Sequence, residues 1–318
     1  MLLVIVVIFA AFGALWYNRF AIYDYLRLFN YSPPSTVVSL ATEDTMTPYA
    51  RHLFYVYHPQ IEGSAAFNTN CKVTDQAIVL GCTIIGNGIY LYNVTDPQLS
   101  GVEQATAAYE MLHVAYSRLS SSERSYIDGM VQTVYNENAA SDPIIKAEVA
   151  SYLQTEGSAA LPNELHSVVG TEIANLPPAL NSYYAKYFND RSTVVKYTDQ
   201  YEGVLNQREQ AVTTDDQTLS SMKQEINSDE ATLNYDYQQI NQETSTMNSE
   251  RSAGNESAYN ESVPGYNSQV DSYNNLLNQT NNLIAQYNQL VSSRNSVAVS
   301  EDQLIQSLSS SPSTIPSN

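Results

Sequence analysis

Positive charge is scarce in this sequence: 14 Lys and Arg stand against 33 Asp and Glu, giving a net charge of −19. Phosphate backbones are held by clustered basic side chains, so nucleic acid is excluded as a partner, and adhesion to anionic lipid is disfavoured. Charge of either sign is thin, at 15% of residues, and polarity comes instead from Asn, Gln, Ser, Thr and 25 tyrosines. No glycine-rich phosphate loop, no Gly-x-Ser-x-Gly elbow and no cysteine pair at zinc-ribbon spacing occurs. Phosphoryl transfer and serine-hydrolase chemistry therefore lack their signatures. What is present is apolar mass, 43% of 318 residues, enough to build a buried core in at least one domain.

The longest apolar run is at the start, where residues 1–16 carry no charge and end in Trp16 and Tyr17. Extended through Phe20, Ala21 and Ile22, it reads as a transmembrane anchor over 1–22 with an interfacial aromatic end. A cleaved signal peptide is the alternative, but a basic leader and a small-x-small cleavage site are both unclear. Arg19 and Arg27 follow the run and nothing basic precedes it, which favours a cytoplasmic body. Against this, Cys71 and Cys82 are the only cysteines, and each closes a segment rich in strand formers. A disulfide across neighbouring strands, and hence a single-pass protein with its bulk extracytoplasmic at the cell membrane, is the expectation adopted.

Residues 23–35 read as a stalk ending at Pro33-Pro34. Strand-sized apolar groups at 37–40, 53–57, 77–80 and 89–92 predict a small, mostly antiparallel sheet, with a hairpin at Gly86-Asn87-Gly88. Beyond Asp96-Pro97 the spacing turns helical: one helix from Val102 to about Leu119, a second opened by the Ser120-x-x-Glu123 capping box, a third over 143–155, a fourth from Pro162, and a fifth over 180–190. From Tyr201 a seven-residue repeat begins, and it resumes at Tyr266 after a Gly/Pro/Asn segment. The pattern predicts an antiparallel coiled-coil hairpin over 196–306, with its turn at about 251–265, and a disordered polar tail over 307–318. Polar seam residues make such a hairpin weak alone, so a protein partner or self-association is expected to reinforce it.

The helix from Val102 carries Tyr109-Glu110-Met111-Leu112-His113. In the zinc-peptidase motif H-E-x-x-H, two imidazoles one helical turn apart bind the metal, and the glutamate deprotonates the bound water. Here Tyr109 stands at the position of the first histidine. Asn163-Glu164-Leu165-His166-Ser167 looks like the later helix that supplies a glutamate ligand. Glu172 lies two helical turns beyond Glu164, so both can face one site, whereas His166 points about 160° away from Glu164. The plainer alternative is an acidic stripe with His166 packed in the core.

Taken together, Phe54-Tyr55-Val56, Phe67-Asn68 to Cys71, Leu80-Gly81-Cys82, residues 107–113, residues 163–172, Tyr183-Tyr184 and residues 187–191 resemble a largely uncharacterised family of membrane-anchored bacterial proteins. Its members occur in Saccharibacteria-like lineages and some Gram-positives. The likeness covers residues 23–195. In that family the first helix reads Ala-His-Glu-Met-Leu-His and the later one Asn-Glu-Leu-His-Ser-x-x-Gly-Thr-Glu. The resemblance implies a zinc-peptidase-like site with Glu110 as general base. His113 would be a zinc ligand, Glu164 or Glu172 a further one, and Tyr109 and His166 the remaining nearby donors. Tyr109 departs from the family pattern at a ligand position. A phenol must ionise to replace an imidazole there.

The expected fold is α+β and mainly helical: a zincin-like domain over 36–195 with a small antiparallel sheet, between the membrane anchor and the coiled-coil hairpin. The expected function is that of a cell-surface protein derived from a zinc metallopeptidase, degenerate in activity and acting in interactions. An active zinc-dependent peptidase on envelope proteins and a membrane-anchored spacer are the two alternatives.

Overall fold

A computed structural model describes residues 13, 15, 17–71, 78–139, 142–155 and 157–310. The expected anchor over 1–22 falls largely outside the described residues, and no described helix is long and apolar enough to cross a membrane. The first part of the expected 23–35 stalk is helical: α1 (Arg19–Leu28) enters it and ends at Leu28. α2 (Ser35–Glu43) starts directly after Pro34 and buries Val37, Leu40 and Ala41. α3 (Pro48–Val56) has Pro48 in its first turn, Thr47 Oγ1 accepting from Ala50 N at 3.2 Å, and Ala50, Leu53, Phe54 and Val56 buried. The expected strands at 37–40 and 53–57 are therefore helices. Groups of four or five apolar residues cannot distinguish a period of 2 from one of 3.6, and the Thr47-Pro48 cap decides the second case. Of the expected strand at 77–80, residue 77 is not described and residues 78–80 form no strand.

Three short strands remain. β1 (Gln60–Glu62) is followed by α4 (Ser64–Asn70), β2 (Gly81–Ile84) and β3 (Gly88–Tyr92), in the sheet order β1-β3-β2. The β2–β3 hairpin forms where expected, with Gly86 at φ 86° supplying the left-handed turn residue. β1 pairs with β3 in parallel, so the sheet is mixed rather than mostly antiparallel. The α4 connection leads into β2, and the hairpin then reverses the chain so that β3 runs in the direction of β1. Cys71 and Cys82 are joined by a disulfide. It ties the C-cap of α4 to β2, a helix to a strand, rather than two strands.

The centre of the core is α5 (Val102–Ser117). It is buried on most of its circumference, from Val102 and Ala105 to Val114 and Ala115, and it packs against α2, α3, β2 and β3. Gly101 precedes it at φ 100°, where a Cβ would also lie 2.7 Å from Tyr197 O; only glycine fits both demands. α6 (Ser121–Ala139) begins with the expected capping box, Ser120 N donating to Glu123 Oε2 at 2.8 Å and Glu123 N to Ser120 Oγ at 3.3 Å. α7 (Pro143–Thr155), α8 (Leu161–Thr171) and α9 (Pro178–Tyr184) complete the domain. α8 is the helix against which α5, α6 and α7 all pack. The α5–α8 approach is close: a Cβ on Gly170 would run into Leu112 Cδ1 and lie 2.8 Å from Tyr184 Cε1.

Two long helices follow, α10 (Arg191–Ser252) and α11 (Glu256–Leu308), joined at Gly254 (φ 74°) and Asn255. Residues up to Val204 and from Leu304 belong to one compact unit, and Leu205–Gln303 to another. Within the latter the register is antiparallel. Arg208 bonds Ser300, Arg294 makes a two-pronged pair with Asp216 at 2.9 Å, Thr280 Oγ1 donates to Asp229 Oδ2 at 3.0 Å, and Thr244 Oγ1 donates to Tyr266 Oη at 3.3 Å. The turn is shorter than the expected 251–265, and Pro264-Gly265 lies inside α11. The repeat of Tyr259, Tyr266, Tyr273, Thr280 and Tyr287 runs straight through the proline, and seam packing there outweighs the lost hydrogen bond. The expected disordered tail is partly ordered: Leu308 and Ser310 are 2% and 3% exposed, and Asn68 Nδ2 donates to Ser310 O at 2.8 Å. Residues 311–318 lie outside the described residues.

Two stability effects follow from this packing. Gly170→Ala is expected to lower stability by about 1–3 kcal/mol, because Leu112 and the fully buried Tyr184 must both move. Removing the disulfide by Cys71→Ala with Cys82→Ala is expected to lower it by about 3 kcal/mol, from the loop-closure entropy of a loop this short. Urea unfolding of the oxidised wild type against both variants measures these effects.

Candidate functional site

The motif helix and the later helix meet where the sequence placed them. Tyr109 on α5 donates its phenolic hydrogen to Glu164 Oε2 on α8 at 2.7 Å. His113, one turn along α5, brings Nε2 to 3.6 Å from the same oxygen. The Tyr109 and His113 rings meet edge to face, with centroids 4.9 Å apart. Ser167 Oγ, one turn beyond Glu164 on α8, donates to Tyr109 O at 3.3 Å. Glu164 and His113 are 4% and 7% exposed. A buried carboxylate is stable only when donors surround it, and here a phenol and an imidazole converge on one oxygen.

Glu110 turns to the neighbouring face, toward the sheet. Thr83 Oγ1 on β2 donates to Glu110 Oε2 at 2.8 Å and lies 3.0 Å from Glu110 O. The backbone of β2 closes over this carboxylate: a Cβ on Gly81 would lie 2.8 Å from Glu110 Oε1. Glu110 is 4% exposed, so the expected general base is buried under a strand.

The protonation of Tyr109 decides what this arrangement can do. Burial pushes its phenol well above the usual range, and Tyr152, Glu164 and Glu148 push it the same way. The hydroxyl therefore keeps its proton and donates it to Glu164. An O–H donor stands where a zinc site needs a lone pair. Among the described residues, no group of three or more His, Cys, Asp or Glu is arranged to hold a metal ion. His113 and Glu164 alone fall short of the three protein ligands of a catalytic zinc, so the residues present do not fit that ion.

Glu172 does not join this group as expected. It is the C-cap of α8, where the helix has ended, and it faces Glu148 on α7 and Glu202 on α10. Burial, then repulsion from Glu148 and Glu202, holds the Glu172 carboxyl well above its usual range, and it hydrogen-bonds Glu148. Tyr152 Oη donates to Glu148 Oε1 at 2.8 Å. Glu202 is pushed up to about 8, by burial first and then by Glu148, Asp142 and Asp199. Tyr152 links the two groups, since it interacts with Tyr109 on one side and with Glu148 and Glu172 on the other.

The remaining histidines are structural. His166 is fully buried, bonds Tyr183 Oη through Nε2 at 2.8 Å, and is held down at about 3 by burial and by His113. It is a neutral core residue among Tyr116, Tyr183 and Tyr184, not a donor to the Tyr109 site. His52 and His58 do not flank a strand: His52 sits within α3 and pairs with Asp24 at 3.0 Å, and His58 follows that helix and contacts Arg27 O through Nε2 at 2.7 Å. Sequence reasoning missed Thr83, Glu148, Tyr152 and Glu202. The i,i+4 spacing of Glu148 and Tyr152 on a predicted helix was a usable signal; Thr83 and Glu202 carried none.

The raised carboxyls make stability pH-dependent with a defined sign. A carboxyl whose folded pKa is raised binds its proton more tightly in the folded state, so its contribution is fully present below the ordinary value and fades as pH rises through the folded one. For Glu202 that window runs from 4.5 to about 8. Unfolding free energy is therefore expected to fall between pH 5 and pH 8.5, and Glu202→Gln with Glu172→Gln is expected to flatten that fall. Urea melts at the two pH values measure both.

No protein-family model, curated protein or solved structure matches this chain.

Proposed function

We propose that this chain is a membrane-tethered cell-surface protein whose helical domain descends from a zinc peptidase and no longer performs hydrolysis, leaving its long hairpin to make protein contacts. The observation that carries this reading is the 2.7 Å hydrogen bond from Tyr109 to Glu164. It joins the two positions that the H-E-x-x-H and Asn-Glu motifs reserve for metal ligands, and it does so with a proton instead of an ion. His113 keeps its place beside Glu164, and Glu110 keeps its place next to Tyr109 on the helix. A site descended from a metal centre retains this geometry after one ligand is exchanged.

The disulfide supports an extracytoplasmic body, because such a bond persists in oxidising compartments. The hairpin supports an interaction role. Its helices span 62 and 53 residues, with a tyrosine-rich surface on which Tyr235 and Tyr237 are 62% and 57% exposed, and exposed aromatics are favoured at interfaces.

Metal analysis of the full chain after dialysis against zinc tests this reading. The wild type is expected to hold far less than one zinc per chain, and Tyr109→His to bind about one, completing a three-ligand set. A wild type that retains stoichiometric zinc and cleaves peptides, with cleavage lost in Glu110→Gln, would overturn the proposal. Failure of Tyr109→His to gain metal would favour a spacer with no site.

A further inference from the structure

The helix α1 is amphipathic in the wrong sense for a surface helix of a globular protein. Asp24 and Arg27 face the domain, while Arg19 at its start is exposed. Arg27 donates to Val56 O at 3.0 Å and to Asn87 O at 2.7 Å, and Asp24 pairs with Arg118 at 2.6 Å and with His52 at 3.0 Å. The opposite face is apolar and open. Ile22, Tyr25, Leu26 and Phe29 follow the i, i+3, i+4, i+7 spacing of one helical stripe and are 41%, 67%, 67% and 63% exposed. A surface helix ordinarily turns such a stripe inward and its charges to water, and a continuous exposed apolar patch marks a contact surface.

The chain that leads into α1 identifies what covers the stripe. Residues 1–16 are an uncharged apolar run ending a few residues before Arg19, so whatever receives that run lies directly against the start of α1. A bilayer offers an apolar medium continuous from one to the other. Tyr25 and Phe29 also form a wall of a groove of about 890 Å³ beside α3, so the apolar surface is not confined to the crest of the helix.

We infer that α1 is an interfacial helix lying in the plane of the membrane surface, with Ile22, Tyr25, Leu26 and Phe29 sunk among the lipids and Asp24 and Arg27 fastening the domain to it. This rests on the anchor reading of residues 1–16 for the direction from which lipid arrives. It goes beyond that reading by replacing a stalk with a docking surface. An interfacial helix buries its apolar face to a shallow depth at the headgroup boundary. The domain is then held against the bilayer in one orientation, through side chains that cannot turn without breaking Arg27 from two backbone carbonyls.

The test uses the full chain, with its disulfide intact, reconstituted into phosphatidylcholine vesicles so that lipid charge contributes nothing. Variants that each add one free cysteine, Leu26→Cys, Ile8→Cys and Tyr126→Cys, carry an environment-sensitive fluorophore on it, and lipids bearing a nitroxide near the headgroup act as quenchers. Leu26 and Tyr126 are 67% and 64% exposed, so neither change disturbs the core. The label at residue 26 is expected to shift to the blue and lose most of its emission to the quencher, and that at 126 to do neither. A label at 26 as open to water as that at 126 overturns the interfacial helix. The label at residue 8, read with a quencher placed deep in the acyl chains, reports the anchor separately: quenching at 8 without quenching at 26 leaves the anchor standing and removes the docking surface. Quenching at 26 without quenching at 8 does the reverse.

Discussion

The hydrogen bond from Tyr109 to Glu164 is the constraint from which the rest of the domain follows. It lies between two nearly buried helices, and Glu164 is almost out of reach of water. A carboxyl group in such a place needs hydrogen-bond partners to offset the loss of water. The phenol supplies one, and His113 stands close enough on the same helix to supply attraction to the same oxygen. Remove the phenol and Glu164 is left to His113 alone, at a longer distance. The α5–α8 contact is thus polar at its centre and apolar around it, through Leu112, Leu165 and Tyr184.

The neighbouring carboxyl group obeys the opposite rule. Glu148, Glu172 and Glu202 face one another with no cation among the causes that shift them. Like charges this close cannot all ionise, so protons are retained and shared. Tyr109 and Tyr152, both held firmly protonated, separate Glu164 from this group. The result is a buried acidic region in which protons are retained in one half and a phenol donates a hydrogen bond in the other.

Long-period features were legible from the sequence and short ones were not. The hairpin helices, the capping box at Ser120 and the 86–88 turn follow from patterns extended enough, or chemically specific enough, to exclude alternatives. The segments at 37–40 and 53–57 failed because four or five apolar residues carry no period, although Thr47-Pro48 carried a cap that settled one of them. Within the site, the meeting of Tyr109, His113 and Glu164 was legible because helical spacing fixes faces. Glu172 was misplaced because eight residues turn about 80° past two full helical turns, which carries it away from Glu164 and toward Glu148 and Glu202. Glu202 and Thr83 could not be found, since their roles come from tertiary contacts that no local pattern encodes.

A single hydrogen bond between two helices contributes only about 0.5–1.5 kcal/mol net. Packing and crosslinking therefore carry most of what holds this region together. Gly170 lets α5 and α8 approach until Leu112 and Tyr184 touch the backbone, and Tyr184 Oη closes the contact by donating to His166 O at 2.7 Å. The disulfide fixes β2, the strand that covers Glu110, to α4. Glu110 is thereby covered by a strand, and Tyr109, His113 and Glu164 are enclosed between two helices, so tertiary packing and the crosslink act on the same small region.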